Sequence, residues 1–198
     1  MKRCYNIPMK ILEERILKDG IVKDGHILKV GSFLNHQIDP SLLEEMAKEW
    51  KRLYADSGVN KILTIEASGI AMGIMAAKEF GCPCVFAKKH KSVNTPDDCY
   101  VTMVHSYTHG NDNPVVVARD FLTKDDKVLI IDDFLASGEA LKGLIDLCNQ
   151  ANAEVIGCGI AIEKAFQPGG PELRAKGVRI ESLARIKSMS GQNAIEFE

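Results

Sequence analysis

Apolar residues near the start of the chain recur about every three to four positions, the spacing of one helix face. The first such segment covers residues 9–19 and stops at Gly20. The second begins at Asp39-Pro40, where the acid can cap a helix and proline suits the first helical position. Its apolar face consists of Leu42, Leu43, Met46, Trp50 and Leu53. The pattern predicts two amphipathic helices with a short extended segment, 26–30, between them.

Beyond residue 60 the pattern changes to short, β-rich apolar runs that alternate with helical segments. The runs cover 61–66, 82–87, 128–133, 154–164 and 178–186. Helical segments over 70–80 and 139–151 follow the first and the third run. Strands that are separated by helices need crossover connections, so the sequence predicts an α/β fold with a mostly parallel central sheet flanked by helices.

Residues 88–121 fit neither pattern. A polar stretch, KKHKSVNTPDD, precedes two strand-like runs at 100–107 and 114–122. This order predicts a long loop followed by a hairpin that projects from the sheet. Because long loops in compact domains are usually functional, we expect a flexible lid in this region.

Composition and charge exclude several classes of protein. A chain of 198 residues fits one domain, and a net charge of −2 argues against a nucleic-acid partner. No apolar run approaches the roughly 20 residues that span a bilayer, and the first residues lack the unbroken apolar stretch of a signal peptide. The six cysteines include no CxxC pair. These features predict a cytoplasmic protein with structural thiols and no membrane partner.

The segment 128–140, VLIIDDFLASGEA, carries the strongest chemical signal. An apolar strand ends in Asp132 and Asp133, and a loop of small residues then opens a helix. The loop consists of Ala136, Ser137, Gly138, Glu139 and Ala140. Amides at a helix N-terminus favour a phosphate dianion, and glycine lets the backbone approach it. Carboxylates accept hydrogen bonds from sugar hydroxyls or hold a hydrated Mg²⁺. The alternative is a strand edge with solvated acids and a tight turn.

This segment resembles the phosphate-binding motif of the type I phosphoribosyltransferases, which consists of an apolar strand, two acids and a small-residue loop. Supporting segments in the same order are 27–40, 64–71, 85–92 and 162–169. The resemblance covers nearly the whole chain and is closest to bacterial members that act on xanthine. It implies a single domain over 1–198, a small N-terminal hood mainly in 1–40, a flexible lid and hairpin at about 88–121, and a homodimer.

The resemblance also implies the reaction. Phosphoribosyl diphosphate (PRPP), bound with Mg²⁺, would transfer its ribose to a purine base, xanthine, and release diphosphate. Asp132 and Asp133 would hold the ribose and contact the metal directly or through ribose or water, while the loop 136–140 grips the 5′-phosphate. Ser68 and Gly69 would cup the diphosphate, and Lys89, within the basic cluster 88–91, would stabilise it as it departs.

For the base, the resemblance implies four contacts: Leu28, Asn35, Lys164 and Phe166. An amide such as Asn35 offers both a donor and an acceptor to the 2-oxo edge. The lysine would donate to the 6-oxo group, and the phenylalanine ring would stack on the purine. Many purine members place an acid where this chain has Ala136 and a threonine where it has Ala140. The acid is proposed to handle a base proton, but xanthine is itself fairly acidic and can arrive partly deprotonated.

Three alternatives stay open at this point. The same chemistry could act on hypoxanthine or guanine. The chain could instead be a PRPP-sensing regulator of transcription, although it has no basic winged-helix extension. A third possibility is an inactive partner subunit, which the intact acidic pair argues against.

Overall fold

The computed structural model describes residues 9–89, 98–106, 111–190 and 194–198. The α-helices of these ranges are α1 (Lys10–Asp19), α2 (Pro40–Leu53), α3 (Ser68–Phe80), α4 (Glu139–Gln150) and α5 (Gly169–Ala175). The strands are β1 (Ile21–Lys23), β2 (Ile27–Lys29), β3 (Lys61–Ile65), β4 (Cys84–Ala87), β5 (Cys99–Ser106), β6 (Asn111–Ala118), β7 (Lys127–Leu135), β8 (Glu154–Lys164), β9 (Ile180–Met189) and β10 (Ile195–Phe197). A π-helical turn, Gly31–Asn35, follows β2.

The central sheet has the strand order β10-β9-β8-β7-β3-β4. Neighbouring strands from β9 to β4 pair in parallel, and only β10 pairs antiparallel with its neighbour β9. The predicted α/β fold with a mostly parallel sheet is confirmed. From β3 the chain adds β4 on one side and then β7 to β10 on the other, so the order of the strands reverses between β3 and β7. Open α/β folds bind ligands at such a switch point.

Helix α2 packs on one face of this sheet through its only tryptophan. Trp50 is fully buried, and a Cβ atom added to Gly159 of β8 would lie 2.9 Å from the indole Cδ1 atom. Two residues earlier on the same strand, a Cβ added to Gly157 would lie 2.6 Å from the hydroxyl oxygen of Tyr54, the residue that ends this helix. Strand glycines mark such close approach, so the two glycines of β8 set how near this helix can come. The predicted capping by Asp39 is also found, with its carboxylate accepting from the amides of Ser41 and Leu42.

The predicted hairpin is present as β5 and β6, but its placement differs from the prediction. Its described part lies along α4 instead of projecting from the sheet. The side-chain amide of Gln150 donates to the carbonyl of Val101 at 2.9 Å, and a Cβ added to Gly143 would lie 2.5 Å from Val104. The hairpin packs there because Val115 and Val117 are buried in the core and need an apolar cover. The predicted lid residues 90–97 and 107–110 lie outside the described residues, as do the first eight of the hood.

Four elements differ from the predicted pattern. The run predicted as 128–133 continues as strand to Leu135, so the acidic pair lies inside β7 and not at its end. Helix α5 was not predicted, because the sequence Pro-Gly-Gly-Pro at 168–171 indicates a turn. Strands β1 and β10 are too short to show a periodic pattern. None of the described helices is long and apolar enough to cross a membrane.

The packing of α2 on β8 leads to a prediction about stability. Trp50→Ala should lower the free energy of unfolding by about 3–5 kcal/mol, because it leaves a cavity between helix and sheet. Leu17→Ala is the control, since this side chain is 48% exposed and should change stability by less than about 1 kcal/mol. Urea denaturation followed by circular dichroism measures both. Equal effects of the two substitutions would contradict the assigned packing.

Candidate active site

The candidate site lies at the carboxyl ends of three neighbouring strands, β3, β7 and β8. Each strand is followed by a segment that the sequence singled out: Ser68 and Gly69 after β3, the loop 136–140 after β7, and Phe166 after β8. The hood reaches the same edge through Asn35. Because carboxyl ends of adjacent parallel strands meet at one edge of a sheet, segments far apart in sequence come together here.

Asp132 and Asp133 form the centre of this site. Their exposed fractions are 5% and 9%. The backbone amide of Asp133 donates to Oδ1 of Asp132 at 3.0 Å, and the amide of Phe134 donates to Oδ1 of Asp133 at the same distance. Each carboxylate is thus held by the amide of the next residue, and Oδ2 of Asp133 also accepts from the side-chain amide of Asn35.

Burial away from water raises the pKa of Asp132 well above its ordinary value, and the neighbouring carboxylate of Asp133 raises it further. The positive charge of Lys89 acts in the opposite direction. Desolvation and a like charge both disfavour the ionised form of Asp132. Without a cation or further hydrogen-bond donors beside it, this carboxylate therefore carries its charge at a cost in free energy. A ligand that brings hydroxyl donors or a divalent cation relieves both causes.

The loop after β7 has the backbone shape of an anion site. Gly138 has φ +83°, which favours glycine, and helix α4 begins at the next residue. No side chain of the described residues caps the first turn of α4, so its amides are available to a ligand. The carboxylate of Glu139 accepts from Lys142 at 2.9 Å, and this turns the acid toward the helix instead of the loop.

The loop after β3 approaches the acidic pair closely. Gly69 is buried, and a Cβ atom added to it would lie 3.5 Å from Oδ1 of Asp132 and would collide with Oγ1 of Thr64. Only glycine therefore fits at this position. The Thr64 hydroxyl is itself buried and makes no hydrogen bond within the described residues. Ser68, the first residue of α3, is partly exposed beside it.

The basic cluster is only partly described, because His90 and Lys91 lie outside the described residues. Lys88 forms a backbone bridge to Val116 of the hairpin, with two hydrogen bonds of 2.9 Å. The amide of Lys89 donates to the carboxylate of Glu66 at 2.6 Å. The exposed side chain of Lys89 is the described member of the cluster whose charge reaches Asp132.

Two of the predicted base contacts come from the hood. The side-chain amide of Asn35 donates to Oδ2 of Asp133 at 2.9 Å, which joins the hood directly to the acidic pair. Leu28 lies on β2 and is 6% exposed, packed in the core cluster under the hood. Its contact with a base is therefore limited to its backbone and a small exposed surface.

The other two predicted base contacts lie at the end of β8. The ammonium group of Lys164 donates to the carbonyl of His26 at 2.8 Å and lies 6.0 Å from the ring centre of Phe134. Partial burial lowers the pKa of this lysine. Phe166 is 46% exposed, so its ring is open to solvent and to a ligand. Phe134 was not singled out from the sequence, although its position directly after the two acids could have indicated it.

A second element that the sequence did not indicate lies behind the loop 136–140. The amide of Gly169, at the start of α5, donates to the carbonyl of Ala136 at 3.1 Å. A Cβ added to Gly169 would lie 2.6 Å from the amide nitrogen of Gly138. Paired glycines often mark such close backbone approach, and this is the signal that could have identified the contact.

A surface groove of about 330 Å³ lies between α1 and α2, and its lining includes none of the candidate site residues described above. Two of the charged residues that line it, Arg15 and Asp39, already pair with each other at 2.7 Å, and Arg15 also pairs with Asp19. Among the described residues, no group of three or more histidine, cysteine, aspartate or glutamate side chains could hold a metal ion by itself. The acidic pair at the sheet edge is therefore the better candidate for ligand binding.

Comparisons with known proteins agree with this geometry. Residues 30–183 match the family described as phosphoribosyl transferase domain. The xanthine phosphoribosyltransferase of Finegoldia magna is 54% identical over 94% of this chain and 98% of its own length. The protein of the same name from Ligilactobacillus salivarius is 50% identical over 96% of this chain and 98% of its length.

Solved structures show the same fold at lower identity. The adenine phosphoribosyltransferase of Leishmania tarentolae superposes with a TM-score of 0.75 at 20% identity, covering 92% of this chain and 90% of that chain. The fold, the acidic pair with its small-residue loop, and the family match over most of the chain lead to one conclusion. The chain belongs to the phosphoribosyltransferase family.

Proposed function

We propose that this protein transfers the 5-phosphoribosyl group of PRPP to xanthine, giving xanthosine 5′-monophosphate (XMP) and diphosphate in purine salvage. The observation that carries the proposal is the buried pair Asp132 and Asp133, flanked by a phosphate-type loop on β7 and by the glycine loop on β3. Relatives that share about half of their residues with this chain over nearly its full length carry the name xanthine phosphoribosyltransferase. Their name supports the choice of base.

The acidic pair would bind the ribose hydroxyls of PRPP, and the loop 136–140 would bind the 5′-phosphate. Hydroxyl donors suit the carboxylate of Asp132, whose ionised form burial disfavours, and the loop amides at the start of α4 suit a dianion. Ala136 and Ala140 would act through their backbone, as would Glu139, whose carboxylate is turned to Lys142. Ser137 adds a hydroxyl that can donate to the phosphate.

The diphosphate would lie between the glycine loop after β3 and the basic cluster. Ser68 and Gly69 offer backbone amides at the start of α3, and Lys89 brings a positive charge to the same edge. The anomeric carbon passes through an oxocarbenium-like state as the bond to diphosphate breaks. Catalysis then consists of holding the base against that carbon and stabilising the departing charge.

Mg²⁺ would enter with PRPP. Mg²⁺ is usually held by one or two carboxylates together with substrate phosphates, and the described residues offer two carboxylates without a full protein cage. Asp132 and Asp133 fit this mode of binding, directly or through ribose or water. The metal would share the negative charge of the leaving diphosphate.

The purine would lie under the hood, with its face stacked on the ring of Phe166. A polar side chain would contact each of its two oxo groups. Lys164 would donate to the 6-oxo group and Asn35 would recognise the 2-oxo edge, with Leu28 closing the pocket. Both polar groups have partners in the protein already, the carbonyl of His26 and the carboxylate of Asp133. They are therefore held near the site before the base arrives.

We further propose a single domain whose hood, residues 1–40, and lid, 88–121, close over the substrates, and a cytoplasmic homodimer. Ile74 on α3 and Phe86 on the edge strand β4 are 55% and 39% exposed, and apolar surface on neighbouring elements supports self-association. Within the described ranges, Cys82, Cys84, Cys148 and Cys158 lie outside any disulfide, which suits a reducing compartment.

The first test of the function is diphosphate release with PRPP and Mg²⁺, with xanthine, hypoxanthine, guanine and adenine in separate reactions. We expect xanthine to be preferred by at least about tenfold, because an unpaired buried polar group costs about 1–3 kcal/mol. Preference for another purine would retain the PRPP site and refute the base assignment. If no base gives diphosphate release although PRPP binds, the protein would more closely fit a PRPP-sensing regulator.

Lys164→Met tests the base contact. Loss of a charged donor should raise KM for xanthine about tenfold to a hundredfold and change KM for PRPP much less. Lys187→Met is the control, because this lysine lies on β9, is 65% exposed and pairs only loosely with Glu196 at 3.9 Å. Steady-state kinetics with each substrate varied in turn measure both variants. An unchanged KM for xanthine in Lys164→Met would refute the contact.

Asp132→Asn should stabilise the protein and abolish its activity. The asparagine keeps the oxygen that accepts from the amide of Asp133 but removes a buried charge beside another carboxylate. Because the folded-state pKa is raised, the wild-type acid reduces stability above its unfolded value of 3.8, and this loss disappears as pH falls below that value. Thermal unfolding should show a higher unfolding temperature for the variant than for the wild type at pH 7 and no difference at about pH 3. Equal stability at pH 7 would contradict the assignment.

A further inference from the structure

The sequence at the end of β8 contains a charged residue that the proposed reaction does not use. Glu163 precedes the base-binding lysine and is completely buried. Its two carboxylate oxygens accept from the guanidinium of Arg174 at 2.6 and 2.7 Å, and the hydroxyl of Ser182 donates to it at 2.5 Å. Arg185 forms a further ion pair with it at 3.3 Å. Burial would raise the pKa of Glu163, but the hydrogen bonds from Arg174 and Ser182 outweigh it and hold that pKa below its usual range.

The arginine of this pair lies on α5, the short helix behind the phosphate loop. Arg174 is in the last turn of α5, and both of its bonds to Glu163 run from the helix to the central sheet. A bidentate guanidinium–carboxylate pair has a defined geometry as well as energy. It therefore sets both the distance and the orientation of α5 relative to β8.

The opposite end of α5 touches the phosphate loop. The amide of Gly169 donates to the carbonyl of Ala136, and a Cβ on Gly138 would lie 3.1 Å from the Cα of Gly169. Leu173, which is buried, would lie 3.3 Å from the same added atom. The loop thus has one side against α5 and the other available to a ligand.

The two glycines that begin α5 are both required by this arrangement. A side chain on Gly169 would collide with the backbone of the loop, at 2.5 Å from the carbonyl oxygen of Ala136. A side chain on Gly170 would collide with the ion pair, at 2.7 Å from Nη1 of Arg174. Helix α5 is therefore fitted between the loop and the Glu163–Arg174 pair, with no room on either side.

We propose that Arg174, through its pair with Glu163, is a positioning residue for the 5′-phosphate site. It fixes α5, and α5 supports the backbone of Ala136 to Gly138 in the shape that grips the phosphate. The inference rests on the proposed function of the loop. Removing the pair should weaken the binding of ligands that carry a 5′-phosphate and leave contacts to base and ribose largely unchanged.

The test compares the affinities of XMP and xanthosine, measured by isothermal titration calorimetry. The two ligands differ only in the 5′-phosphate. The dissociation constant of xanthosine divided by that of XMP therefore isolates the contribution of the loop, and effects on the neighbouring Lys164 cancel. In Arg174→Met this ratio should fall about tenfold or more from the wild-type ratio, since a small displacement of binding groups has large effects. KM for PRPP should rise by a similar factor.

Two further variants separate positioning from stability. Arg174→Lys keeps the charge but cannot form the two-bond fork, so its ratio should lie between those of wild type and Arg174→Met. Arg179→Met is the matched control. It removes another arginine–carboxylate pair, Arg179 with Glu181 at 2.9 Å, together with a hydrogen bond to the carbonyl of Leu53 and a contact with the Tyr54 ring. These contacts lie at the end of α2 and do not touch α5 or the loop. The control variant should leave the ratio within about twofold of wild type.

A ratio in Arg174→Met within twofold of wild type would overturn the inference. If that variant does not fold, an unchanged ratio in Arg174→Lys would do the same. A drop of equal size in Arg179→Met would show that general destabilisation is the cause and would also overturn it. A wild-type protein that binds XMP no better than xanthosine would instead refute the proposed function of the loop itself.

Discussion

Two neighbouring carboxyl groups lie almost out of water in the central strand of the sheet, and the architecture of the site follows from that constraint. Burial and like charge raise the pKa of Asp132, so the pair is unfavourable without a ligand. The fold offsets part of this cost with the amides of the following residues, the side-chain amide of Asn35 and the charge of Lys89. What remains is a site that favours hydroxyl donors and cations. Stability and function are opposed at this point, as in many binding sites.

Close backbone approach is the second physical theme. Gly69 reaches Asp132, Gly138 turns the loop into α4, and Gly169 brings α5 against that loop. In each place a single methyl group would meet backbone or a buried polar atom. Strand β8 uses Gly157 and Gly159 in the same way, to admit Trp50 of α2 and Tyr54, which directly follows this helix. The fold thus depends on glycine wherever two layers must come nearer than a side chain allows.

The two sides of the loop 136–140 differ in their surroundings. On one side no side chain of the described residues caps the first turn of α4, and the other side contacts α5, which the partly buried pair of Glu163 and Arg174 connects to the sheet. Ion pairs removed from water often add little to stability, because desolvation offsets the attraction between the charges. The two parallel hydrogen bonds of such a pair also fix the position of one element relative to another. This is a physical reason for an ion pair between α5 and β8. Lys142 adds a second link, since it bonds to Glu139 on α4 and to Glu172 on α5.

The sequence by itself determined the α/β class, the two amphipathic N-terminal helices, the parallel strands and the loop after Asp133, because each rests on local periodicity or turn chemistry. Family resemblance added Asn35 and Lys164, which the pattern alone would have left on the surface. Only the tertiary structure decided that Asn35 bonds to Asp133, that the hairpin lies on α4, and that α5 supports the loop. These contacts join residues far apart in the chain, and which of them form depends on shape and burial across the whole core. Local sequence propensity does not depend on such long-range packing. For this reason the segment around Pro168 and Pro171, whose prolines and glycines indicate a turn, forms helix α5 in the folded protein.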